Sequence, residues 1–193
     1  LCPNSILLKN GELINSGKSD DLVSEYLKDQ NKVTELNTNE RREEINGKKT
    51  YIKSIQFLNS NGDNINEILS GEKLNIRIKI NSNITIQNGL LNLLFLNKEG
   101  LPVSMIRSDE IGTKQKFIEE NTFIVCIPQF ALRPEKYFLN IVISDKNFES
   151  LNILDKINYA ANIEVLSSDY YNSGKLIKKG GFGIMTATIN EEV

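Results

Sequence analysis

Beyond residue 50, apolar side chains recur at every second position through most of the chain. Leu74, Ile76, Ile78 and Ile80 alternate with Asn75, Arg77 and Lys79, the period of a strand with one face on a core and one in water. Phe123, Val125 and Ile127 repeat the pattern, as do Tyr137, Leu139, Ile141 and Ile143. Ile55 and Phe57 mark an earlier strand, and Ile157, Tyr159, Ala161, Ile163 and Val165 a later one. Turn signals separate them at Asn61-Gly62-Asp63, Ser70-Gly71, Asn97-Lys98-Glu99-Gly100, Arg133-Pro134 and Lys179-Gly180-Gly181. Roughly seven or eight short strands with regular turns and no long helix predict an all-β fold, an immunoglobulin-like antiparallel β-sandwich over residues 50–193.

The opening segment follows another plan. Ser5–Leu8, the turn at Lys9-Asn10-Gly11 and Glu12–Ile14 read as a hairpin. Ser19-Asp20-Asp21 then caps a short helix carrying Leu22, Val23, Tyr26 and Leu27 on one stripe. A hairpin and one helix are too small to bury a core of their own. Residues 1–29 are therefore expected to be the remnant of a larger domain. Residues 30–49 are polar and charged; Glu40-Arg41-Arg42-Glu43-Glu44 can extend a solvated helix but cannot anchor a core, so this stretch is expected to be a linker.

Three strands carry apolar residues on both faces. Gly89–Leu96 places Leu90 and Leu94 opposite Leu91, Leu93 and Phe95; Phe138 and Val142 stand opposite the Tyr137 series, and Ile124 and Cys126 opposite Phe123. A sandwich strand needs one apolar face. Leu90, Leu94, Ile124, Phe138 and Val142 are thus candidates for a surface covered by another chain, another domain or a swapped strand, the alternative being a thick local core under a long loop.

Composition narrows the chemistry. The formal net charge of −2 offers no basic field for nucleic acid, so none is expected as a partner. No apolar run is long enough to span a bilayer, and no secretory leader pattern is present. Histidine is absent, which removes Ser-His and Cys-His nucleophile systems; two cysteines, Cys2 and Cys126, cannot close a structural zinc site. No metal site is expected. Both cysteines lie in strand-like segments and read as small buried hydrophobes.

The opening segment resembles the end of an ABC transporter nucleotide-binding domain: Leu1-Cys2, the strand Ser5–Leu8, Asn10-Gly11, the strand Glu12–Ile14, Ser16-Gly17 and a helix Asp21–Leu27 ending in Tyr-Leu. A Tyr-Leu helix followed by a polar linker is similar to the polysaccharide-exporter branch. The β-part agrees. Ser70-Gly71-Glu72-Lys73-Leu74-Asn75-Ile76 is similar to the Gly-Glu-x-Leu-x-Ile strand of the carbohydrate-binding domain fused behind Wzt-type ATPases. Leu132–Leu139 resembles that domain's Leu-x-Pro-Gly-x-Tyr-x-Leu turn and strand, and Asp155–Val165 its late strand. Glu135 stands where the family usually has Gly, Ile163 replaces an aromatic, and there is no Trp.

The resemblance implies non-catalytic recognition of undecaprenol-linked O-polysaccharide on the cytoplasmic side, for export through the transporter. It also implies a peripheral place at the inner membrane, a transmembrane permease partner, and a homodimer with exchange of the C-terminal strand. The competing expectation is an adaptor or dimerisation sandwich that couples ATPase to permease without touching sugar. ATP and Mg would belong to the nucleotide-binding domain. Lys178-Lys179-Gly180-Gly181-Phe182-Gly183 lacks the Gly-Lys-Ser/Thr ending of a phosphate loop and reads as a turn into a last strand, Phe182–Ile189, so no cofactor and no ATP hydrolysis are expected of this chain. Asp109-Glu110, Glu119-Glu120 and Asp145 offer the carboxylates a glycosidase would need, but they read as solvated loop charges. Sugars ask for planar amide or guanidinium groups on their hydroxyls and rings against their C–H faces. The solvent-facing candidates are Gln56, Asn75, Arg77, Lys79, Asn92 and Asn140, with Tyr170 and Tyr171 as aromatics; exposed Asn, Gln and Lys are also the default surface of any sandwich.

Overall fold

The computed structural model describes residues 3–9, 12–19, 22, 45–146 and 151–184. The chain divides into two units, Leu1–Thr34 and Glu35–Val193. In the first, β1 (Asn4–Lys9) pairs antiparallel with β2 (Glu12–Lys18) from Asn4↔Lys18 to Lys9↔Glu12. A contact between the Ser5 and Ser19 hydroxyls at 2.6 Å closes the open end of this hairpin. The Asn10-Gly11 turn and Cys2 lie outside the described residues, as does the expected helix apart from Ser19 and the buried Leu22. So does most of the 30–49 linker.

The second unit is an immunoglobulin-like sandwich of curled sheets. Its strands are β3 (Thr50–Leu58), β4 (Glu67–Leu69), β5 (Leu74–Leu96), β6 (Pro102–Arg107), β7 (Gln115–Ile127), β8 (Lys136–Lys146) and β9 (Leu151–Leu166). The expected strands at 74–80 and 89–96 are one continuous strand, β5. Its first half lies between β3 and β7, and its second half between β6 and β8. Register shifts near Ile86 and Gly89 bend it from one layer to the other, as bulges do. The second layer continues from β8 to β9 and ends at β4, which runs parallel to β9 while every other pairing is antiparallel.

Alternation sets what is inside. Leu74, Ile76, Ile78 and Ile80 face inward from β5 and are fully buried, as are Tyr137, Leu139, Ile141 and Ile143 from β8. Ile52, Ile55 and Phe57 close the core from β3, and Phe95 packs on Phe130 with ring centroids 5.1 Å apart. Tyr137 is the largest of these side chains, and its hydroxyl donates to the Arg133 carbonyl at 2.9 Å, fixing the turn before β8. Burial, with Glu135 nearby, pushes its pKa from the usual 10 up to about 12. The neutral phenol is the form the fold favours, so its contribution is complete below pH 10 and is lost as pH rises toward about 12. Tyr137→Phe should lower stability at neutral pH by about 1 kcal/mol in a denaturant titration. It should also remove that alkaline limb of the stability profile.

Two expectations are corrected. Cys126 is exposed, because the inward phase of β7 belongs to Phe117, Phe123 and Val125. Tyr159, read as a core residue of the later strand, is 43% exposed. On β9 the pairing passes from Ile141↔Ile157 to Leu139↔Ala161, so residues 158–160 bulge opposite Asn140 and turn Tyr159 outward. The core also holds a charge. Asp155 has a side chain with 0% exposure; it accepts from the Lys48 ammonium at 2.6 Å and from the Ile52 amide at 2.9 Å. Of the expected last strand only Phe182–Ile184 lies within the described residues, with Gly183 bridged to Leu132. No helix among the described residues is long and apolar enough to cross a membrane.

Candidate functional site

The polar candidates fall in three places. Gln56, Asn75, Arg77 and Lys79 share the exterior of the β3–β5–β7 layer, with Gln56, Arg77 and Ile124 in one cross-strand row. Arg77 Nη1 donates to Gln56 Oε1 at 3.3 Å, and Asn75 Nδ2 to the Asn59 carbonyl at 3.2 Å. Tyr170 and Tyr171 sit in the connection after β9. The Tyr170 ring lies where a Cβ on Gly71 would be, 2.5 Å from its Cδ2, so it packs against the β4–β5 turn. Tyr171 is exposed and meets Tyr170 edge-on.

Asn92 and Asn140 lie on the exterior of the second layer, in the rows Asn92↔Val142 and Leu94↔Asn140. Four of the five covered-face candidates, Leu90, Leu94, Phe138 and Val142, share that surface. Leu90 and Phe138 are buried within the chain, and Leu94 and Val142 are half-buried. Ile124, 52% exposed, belongs to the other layer, so the five do not form one patch. Asn92 Oδ1 and Ser144 Oγ are buried with no hydrogen-bond partner among the described residues.

Tyr159, which periodicity assigns to the core, completes this surface. Its φ is +52°, and its amide donates to Asn140 Oδ1 at 2.7 Å. Its ring stands edge-on to Phe138 at 5.5 Å, and its hydroxyl reaches the β5–β6 turn, 3.2 Å from where a Cβ on Gly100 would lie. The Lys136 ammonium lies 5.7 Å from the centroid of the same Phe138 ring. Desolvation lowers the pKa of Lys136, and the Glu164 carboxylate opposes that shift. Lys136 also lines a cleft of about 580 Å³ at this end of the sandwich, walled by Lys98, Glu135, Glu164, Lys179 and Phe182. Lys98 bridges Glu99 at 3.6 Å and Glu135 at 3.5 Å, which leaves the cleft mixed in charge. An exposed aromatic, outward amides on neighbouring strands and a charged cleft beside them together form a surface suited to polyhydroxylated ligands.

Three of the five carboxylates weighed for catalysis, Asp109, Glu110 and Glu120, engage in ion pairs. Asp109 and Glu110 both contact Arg107, at 3.0 and 3.5 Å, and Glu120 pairs with Lys53 at 2.6 Å. That contact lowers the Glu120 pKa and raises that of Lys53.

Residues 41–178 match the family model of the Wzt C-terminal domain. Among solved structures, the chain is similar to the crystal structure of the C-terminal domain of Wzt, with a TM-score of 0.64 and 13% identity over 75% of this chain and 85% of that one. At that identity the likeness speaks for the fold. A β-glucuronidase from Ruminococcus gnavus aligns at 13% identity over 63% of this chain and 16% of its own, with a TM-score of 0.28 too low to carry meaning. No curated protein matches the chain.

Proposed function

This chain belongs to the Wzt C-terminal domain family, a non-catalytic part of the O-antigen ABC transporter, and on that premise we propose that its sandwich recognises the O-polysaccharide to be exported. The observation that carries the reading is the second-layer exterior, where Asn92 and Asn140 stand one row apart on neighbouring strands, beside the exposed Tyr159 ring. Hydroxyl-binding amides and a ring for C–H faces are the two kinds of group a sugar requires. The ligand is the undecaprenol-linked polymer on the cytoplasmic side. The chain works peripherally at the inner membrane beside the transmembrane permease, with ATP and Mg held by the nucleotide-binding domain.

An adaptor that couples ATPase to permease without sugar is the competing function. The homodimer with an exchanged C-terminal strand is supported by one feature of β7. It pairs only with β5 among the described residues, and beyond its end residues 131–133 already lie antiparallel to 182–184, through Arg133 N to the Phe182 carbonyl at 2.8 Å and Ile184 N to the Ala131 carbonyl at 3.0 Å. Titrating the 193-residue chain with O-polysaccharide from the encoding strain, by calorimetry and light scattering, tests these readings together. Saturable binding in about the micromolar-to-millimolar range is expected, on dimeric protein. Absence of heat and of NMR shifts at the top of that range would leave the adaptor as the function.

A further inference from the structure

We propose that Tyr159 presents its ring as a stacking platform for the C–H face of a pyranose, with Asn140, Phe138 and Gly100 holding the ring in that place. The inference rests on the glycan-recognition reading and deepens it.

Four features converge on Tyr159. A bulky aromatic with φ of +52° inside a strand is an outlier for an L-residue, and such strain persists where the surroundings impose it. Here they do. Asn140 Oδ1 takes the Tyr159 amide at 2.7 Å, Phe138 backs the ring edge-on, and Gly100 leaves room for the hydroxyl. The outcome of this support is a ring left exposed on a sheet face. A regular β9 would have buried it, since Ile157 and Ala161 on either side continue the inward phase.

Tyr159 stands within β9, and a strand-borne ring is held more firmly than Tyr170 and Tyr171, which sit in a connection.

The test compares variants of the full chain titrated with O-polysaccharide from the encoding strain. Tyr159→Phe keeps the ring and should bind like the parent. Tyr159→Ala should bind about tenfold more weakly. Asn140 is a positioning residue: Asn140→Asp, which retains the acceptor, should preserve binding, whereas Asn140→Ala should weaken it. Tyr159→Gly should lose affinity like Tyr159→Ala yet melt at a higher temperature than that variant, because glycine accepts positive φ without strain. If the parent binds and folded Tyr159→Ala stays within about twofold of it, the platform assignment is overturned while the recognition reading stands. If the parent does not bind, the recognition reading fails first. Melting of Tyr159→Gly below Tyr159→Ala would overturn the strain account.

Discussion

Asp155→Ala should destabilise the sandwich by about 3 kcal/mol, seen as a lower urea midpoint with an unchanged slope. Asp155 is the one carboxylate among the described residues buried in the core, and its oxygens are occupied on several sides. Oδ1 meets the Lys48 ammonium at 2.6 Å and the Lys156 amide at 3.0 Å, and Oδ2 takes the Ile52 amide at 2.9 Å. Hydrogen bonds to a charged group are worth about 1.5–3 kcal/mol each, and losing such a set also leaves a void between β3 and β9. The Coulombic part deserves a discount, because the Lys48 side chain is 33% exposed and can turn to water once its partner is gone. Asp155→Asn retains one acceptor oxygen but sets an amide donor against other donors, so it should cost roughly half as much. A neutral Asp155→Ala variant would mean that the ion pair does little for β3–β9 packing. The pair also ties the residues just ahead of β3 to the strand that bears Tyr159.

Gly89→Ala should cost on the order of 1–3 kcal/mol, a large effect for a single methyl group. A Cβ at Gly89 would lie 2.4 Å from Phe117 Cε2 and 2.6 Å from its Cζ, and Phe117 has 0% exposure. Its ring is fixed by a further edge contact with Phe123 at 5.7 Å and has no open side to retreat toward. The φ of Gly89 is not in the left-handed region, so space and not backbone freedom is at stake. The site lies where β5 leaves one layer for the other, and the close approach of Phe117 to its backbone shapes that bend. A double-mutant cycle separates the two causes. Phe117→Leu placed on Gly89→Ala should recover part of the loss, a coupling distant sites do not show. Additive penalties would mean that the ring does not hold the bend.

Periodicity located the strands because inward and outward residues differ in the solvent they prefer, and each strand carries that preference in its own sequence. The Leu74 and Tyr137 series are buried as their alternation requires. What failed did so for geometric reasons. Residues 158–160 occupy a bulge that adds an even number of positions, so Ile157 and Ala161 keep the same phase and the pattern reads straight through Tyr159. No count of apolar positions reveals such an insertion; only its partner strand does. The joining of 74–80 and 89–96 into one strand was hidden by the polar stretch between them, whose bulges hold it in two layers at once. The glycan candidates separated because two strands with the same outward phase can belong to opposite layers.

By itself the sequence determined the all-β class, the phase of each core strand and the resemblance to Wzt-type domains, since these follow from local hydrophobic order and short motifs. Only the tertiary structure decided which amides share a face, that Tyr159 and not Tyr170 stands on the second-layer exterior, and that Asp155 is buried. Those facts depend on which strand lies beside which, and pairing between residues as distant as Ile52 and Asp155 is a property of the folded chain as a whole.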